Sequence, residues 1–151
     1  MRFVKLAEQK WSILIHSKLN TSGMESCQTL EFLTCKKHRK LAKKMKAMLS
    51  GYVPINGPPK HNKNKARYLR DGIYEFKAGP RLGAEIRTLF FYGGSGNIVI
   101  CSETFKKAEI TDDEAIDRAS KLKEEYEQIK KSDMTIIDLS ETEYQDDYEK
   151  L

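Results

Sequence analysis

Residues 72–101 read GIYEFKAGPRLGAEIRTLFFYGGSGNIVIC. Three apolar runs, 72–79, 85–92 and 97–101, are separated by glycine-containing connections, which predicts three consecutive antiparallel strands. The first ends on Gly79, and Gly79-Pro80-Arg81-Leu82-Gly83 makes a tight, basic connection to the second. Gly93-Gly94-Ser95-Gly96 is followed by another strand rather than a helix. It is therefore a hairpin turn, with glycine supplying positive φ, and not a phosphate-binding loop.

The flanks on either side predict helices. Downstream, TFKKAEITDDEAIDRA spans residues 104–119. Thr111 with Glu114 three residues on reads as a capping box. Ala115, Ile116, Ala119, Leu122, Tyr126 and Ile129 then form one apolar stripe at helical spacing. Upstream, WSILIHS at 11–17 reads as a first strand, and residues 20–26 as a polar break. From Cys27 to Tyr52, Leu30, Leu33, Leu41, Met45, Met48 and Leu49 recur at helical spacing, as one long amphipathic helix or two short ones. Residues 51–65, GYVPINGPPKHNKNK, are too rich in turn residues to be helical throughout and read as a basic loop.

The expected fold class is α+β: a small antiparallel-meander sheet, with one or two N-terminal helices and a C-terminal helix packed on it. One domain over 1–131 is expected. An acidic extension over 132–151 follows, read as mobile, although Met134 to Leu139 could add a short strand.

Charge is unevenly spread along the 151 residues. The net value is +5, yet the last twenty residues hold seven acids and one lysine, leaving a net of +11 over 1–131. Seven cations and no acid occupy 36–46. A strongly basic body points to a polyanionic partner. The three cysteines, Cys27, Cys35 and Cys101, fit neither a zinc motif nor a disulfide framework. His16, His38 and His61 are scattered through strand, helix and loop, and each reads as ordinary surface or core. No metal or cofactor site is expected. No apolar stretch near the N-terminus approaches the roughly 20 residues of a membrane span, and no secretory signal is recognisable, so a cytoplasmic location is expected.

What remains is a set of cations on strands: Lys77, Arg81, Arg87, and the adjacent Lys106 and Lys107. In a meander these could converge on one patch, although pleat alternation sends neighbouring residues to opposite faces. Together, LRDGIYEFKAG, IRTLFFYGGSGNIVI, the paired lysines and ITDDEAIDRA resemble toxins of the RelE/HigB type, in the phage-derived HigB-like branch. The resemblance covers residues 69–126 strongly and 11–60 weakly, and does not include the tail. Lys77 stands where the family usually has arginine, Arg87 matches the middle-strand arginine, and Lys106 and Lys107 match the paired lysines. The family's histidine, glycine and phenylalanine before those lysines correspond here to Ser102, Glu103 and Thr104, which puts a histidine acid or base role in doubt.

The resemblance implies a metal-independent mRNA endonuclease, the toxin of a toxin–antitoxin pair, acting on mRNA at the ribosome and silenced by an antitoxin protein. In such chemistry the ribose 2′-hydroxyl attacks its own phosphate while the protein aligns it and stabilises charge on the phosphorane. Arg81 and Arg87 would hold phosphate, and Lys77 or Lys106, with Lys107 beside it, would move a proton or stabilise charge. Lys36, Lys40, Lys43, Lys60, Lys63 and Lys65 would hold the RNA backbone, and Tyr92 would stack a base or donate a proton if it is not core. A non-catalytic RNA-binding protein and a ParE-like gyrase inhibitor are the alternatives. The acidic tail would be either plain solvated chain or a segment that folds onto the basic patch and damps activity.

Overall fold

The computed structural model describes residues 1–80, 83–94, 96–107 and 111–151. Its strands are β1 (Arg2–Glu8), β2 (Ser12–Leu19), β3 (Glu25–Ser26), β4 (Ala66–Arg70), β5 (Ile73–Ala78), β6 (Glu85–Tyr92), β7 (Ile98–Lys107) and β8 (Thr135–Asp138). The α-helices are α1 (Gln28–Thr34), α2 (Arg39–Lys46), α3 (Val53–Asn56), α4 (Asp113–Gln128) and α5 (Gln145–Glu149).

The three-strand meander is present as β5-β6-β7, antiparallel throughout. Gly94 and Gly96 of its hairpin both have φ of 88°, the left-handed region that glycine enters without a Cβ clash. The sheet around the meander is larger than a small antiparallel one, and it is mixed. Its order is β4-β5-β6-β7-β2-β1-β8, with β3 paired to β2. β2 runs parallel to β7, and β8 parallel to β1. A parallel pair cannot be joined by a tight turn, so the chain crosses over through the helices between β2 and the meander.

The added strands escape sequence patterning for physical reasons. β1 carries Arg2, Lys5 and Glu8 among its apolar residues. It nevertheless sends Phe3 into one core and Val4 and Leu6 into the other. A strand covered on both faces has no alternation to detect. β4, ARYLR, is an edge strand with one buried residue, Ala66, and gives almost no apolar signal.

Two cores sandwich the sheet. On one face α1, α2 and the π-helical stretch Ala47–Tyr52 cover Ile13, Ile15, Phe76, Ile86, Phe90 and Val99. On the other face α4 places Ala115, Ile116, Ala119 and Leu122 over Leu14, Ile73, Leu89, Phe91 and Ile100. Cys27 and Cys101 lie fully buried in the first core, as small hydrophobes.

The C-terminal segment is packed, which corrects its reading as a mobile extension. β8 extends the sheet beside β1, and Tyr148 of α5 is 3% exposed in the first core. The Tyr148 hydroxyl lies 2.6 Å from Ser50 Oγ. Tyr144 donates to the Glu31 carboxylate at 2.8 Å and accepts from the Cys27 N–H. Charge density hid this packing, because the anchoring aromatics sit between acids that face solvent. Among the described residues no helix is long and apolar enough to cross a membrane.

Candidate functional site

Among the described residues, the sequence-predicted cations of the strands do not gather on one patch. Arg87 is 4% exposed on the α4 face, and its Nη1 donates to Glu75 Oε1 at 2.6 Å. Arg67 Nε donates to the same oxygen at 2.7 Å, and the Thr111 hydroxyl donates to Glu75 Oε2. Glu75 itself is fully buried. A desolvated carboxylate held by two guanidinium groups and a hydroxyl is a satisfied structural network. Arg87 is thus turned inward, with its guanidinium engaged by Glu75 rather than open to solvent. Thr111 is drawn into the network as well, so Asp112 is the N-cap of α4 and no side-chain capping bond forms.

Register separates the remaining cations. Lys107 lies opposite Glu85 and Lys106 opposite Ile86, so adjacent lysines occupy opposite faces. Lys107 pairs with Asp112 just ahead of α4. Lys106 is exposed, on the face that carries Ile86 and the N-terminal helices. Lys77 lies opposite Arg87, and its backbone N–H donates to the Lys65 carbonyl at 2.8 Å. Arg81 lies outside the described residues.

Tyr92 is not a free stacking platform. Its ring packs against Trp11, Tyr74 and Phe90, and the Lys60 ammonium stands 4.9 Å from its centroid. Burial, with Tyr74 beside it, pushes its hydroxyl up to about 12, so it stays protonated near neutrality.

The basic helix divides into stripes. Ala42 and Met45 are buried under α2. Arg39 donates to the Lys150 carbonyl at 2.5 Å, and Lys46 to the carbonyls of Glu149 and Leu151 at 3.1 and 3.3 Å. Lys43 falls between those two on the stripe that faces the C-terminal segment. Lys40 and Lys44 form the next stripe, one turn apart, while Lys36 is exposed in the short 3-10 turn before α2.

That second stripe leads into a cleft of 1290 Å³. It lies between the α2 end of the helical layer and the β4–β5 side of the sheet, with the 57–65 loop across it. Lys44, Tyr52, His61, Lys65, Lys77 and Glu85 line it, alongside Asn62 and Asn64. Lys44 and Lys65 are exposed, and Tyr52 is 40% exposed. The three cleft lysines make no ion pair among the described residues, whereas Arg67, Arg70, Arg87, Lys107 and Arg118 all do. A smaller cleft of 520 Å³ beside α4 has its Arg118 held by Glu103 through two hydrogen bonds at 2.9 and 3.0 Å.

Of the predicted site residues among those described, the cleft gathers only Lys65 and Lys77. Lys40 continues its helical stripe, and Lys60 and Lys63 belong to the loop that crosses it. Sequence patterning missed Tyr52, His61 and Glu85 as cleft residues, because each lies on a different element with no shared motif. The run of loop lysines between 60 and 65 was the one pointer to this place. Among the described residues no group of three or more His, Cys, Asp or Glu side chains is arranged to hold a metal ion. Compared with known proteins, the chain matches no family model, no curated sequence and no solved structure.

Proposed function

We propose that the protein acts on RNA as a toxin of the RelE/HigB type, binding a single strand in the cleft between α2 and the β4–β5 side of the sheet and cutting it there. The supporting observation is the set of three lysines, Lys44, Lys65 and Lys77, that make no ion pair among the described residues and line one large cleft with an exposed tyrosine and two asparagines. Lysines without carboxylate partners supply the sequence-independent attraction for phosphates. Tyr52 offers a ring on which a base can stack, and Asn62 and Asn64 offer amide edges for its polar groups. The β5-β6-β7 meander followed by α4, which spans the residues that carry the family resemblance, supports the same reading. A metal-free cut needs only alignment of the 2′-hydroxyl, charge stabilisation and proton transfer.

Induction in bacteria of the intact chain and of the Lys65→Ala/Lys77→Ala variant, with primer extension on a translated mRNA, tests this. Growth arrest with new mRNA ends, both lost in the variant, is the expected result. Arrest with intact mRNA would overturn cleavage and turn attention to gyrase. No arrest and no new ends in the intact chain would overturn the toxin reading.

A further inference from the structure

The sheet ends on β4 at one side and β8 at the other, and the two edges differ. Among the described residues β8 pairs with β1 and with no strand on its other side. The Thr135 N–H donates to the Met1 carbonyl at 2.8 Å, so Thr135 and Ile137 direct their backbone groups to β1. Alternation along the strand turns those of Ile136 and Asp138 outward. An edge of this kind is a template for a further strand. Ile136 stands at its middle, 49% exposed and part of neither core, while its neighbour Ile137 packs on the first.

The charges around β8 are ordered along the chain. Lys130 and Lys131 precede the strand, Asp138 ends it, and Glu141 closes the 3-10 turn that follows. Lys131 and Glu141 are exposed and make no ion pair among the described residues, whereas Asp138 lies 3.6 Å from Lys5 Nζ. A parallel neighbour of the same sequence would set like charges side by side, and an antiparallel one sets opposite charges together. With Ile136 opposite its counterpart, Lys131 of each copy aligns with Glu141 of the other, because the two stand equally far from Ile136. Centring the pair on Ile137 instead would set Ile136 against Asp138, an apolar side chain against a carboxylate. The β4 edge lacks this complementarity. Lys65, Arg67 and Arg70 make it basic along its length, and its register shifts between Tyr68 and Arg70. Like charges and a bulge are devices that keep edges apart.

We infer that β8 is a dimer edge: it pairs antiparallel with β8 of a second copy about a two-fold axis at Ile136, joining the two sheets into one. An isologous contact of one short strand per copy buries little area, so the two copies exchange readily with monomers. β8 lies at the opposite end of the sheet from the lysine-lined cleft, so the inference does not depend on what the cleft binds.

Sedimentation equilibrium of the full chain, freed of nucleic acid and held at low salt, tests this from low to high micromolar loading. The expected result is an average mass that rises from one chain toward two. Ile136→Asp should abolish the rise by placing two carboxylates opposite each other. Lys131→Glu and Glu141→Lys should each raise the dissociation constant about threefold or more, and the double reversal should return it to within about twofold of the intact chain. The reversals, at exposed positions outside the strand, carry the test if Ile136→Asp does not fold. A chain that stays monomeric at every loading would overturn the inference, as would a dimer that a folded Ile136→Asp leaves intact. Single reversals without effect, or a double reversal without rescue, would overturn the antiparallel pairing of β8.

Discussion

Arg87 Nη1 and Glu75 Oε1 lie 2.6 Å apart between β6 and β5, with side chains 5% and 0% exposed. Two adjacent meander strands are thereby pinned at a point where neither side chain reaches solvent. Removing Arg87 leaves the buried Glu75 carboxylate with only Arg67 and Thr111 among the described residues, and loss of one partner of a buried pair costs about 3–5 kcal/mol. Arg87→Ala is therefore expected to lower the thermal midpoint by roughly 10 °C, at ~2–4 °C per kcal/mol for a chain of this size. Glu75→Gln should fall between this variant and the intact chain, since the amide still accepts a hydrogen bond. Calorimetry checks both, and an Arg87→Ala variant of unchanged midpoint would contradict the buried network.

The C-terminal segment is expected to brace the fold rather than to silence it. Its contacts with α2 involve Arg39 and Lys46, not the stripe of Lys40 and Lys44 that leads to the cleft. Tyr148→Ala should cost about 3–5 kcal/mol, as for other large aromatics removed from a core. Deleting residues 132–151 should expose the β1 edge and lower solubility and stability. Denaturant titration of Tyr148→Ala reads the first effect. A truncated chain of unchanged stability with raised RNA affinity would instead support the damping role.

Acid should weaken the fold through His16. Burial, with Lys18 nearby, lowers its proton affinity below the ordinary value of 6.5, against an opposing contribution from Glu125. The unfolded chain then binds the proton more readily than the folded one, so stability is present above about pH 6.5 and is lost as pH falls toward the folded value. His16→Gln should flatten the stability profile between about pH 7 and 5. Urea midpoints across that range measure it, and parallel profiles for both chains would contradict the assignment.

The meander was legible in the sequence because glycine turns and apolar runs of strand length mark it directly. The stripe of α4 was legible for the same reason: Ala115, Ile116, Ala119 and Leu122 face one core. β1 and β4 were not, since charged residues interrupt one and the other buries almost nothing. The site was legible as a charge excess but not as a place. Composition distinguishes a basic chain from a neutral one. It does not say that Arg87 turns inward to Glu75, that Lys106 and Lys107 part across the sheet, or that Lys44, Lys65 and Lys77 line one cleft. Those facts depend on register and on the path of the 57–65 loop.

Fluorescence anisotropy of a labelled single-stranded RNA, titrated with the intact chain and with Lys44→Ala/Lys65→Ala/Lys77→Ala over a salt series, tests the cleft most directly. The account predicts binding that weakens steeply with salt, and a triple variant at least tenfold weaker at low salt. Its log–log salt slope should be shallower by about 2, since each phosphate contact to single strands contributes ~0.7. Equal affinity and equal slope for the two proteins, or no binding by the intact chain, would contradict it.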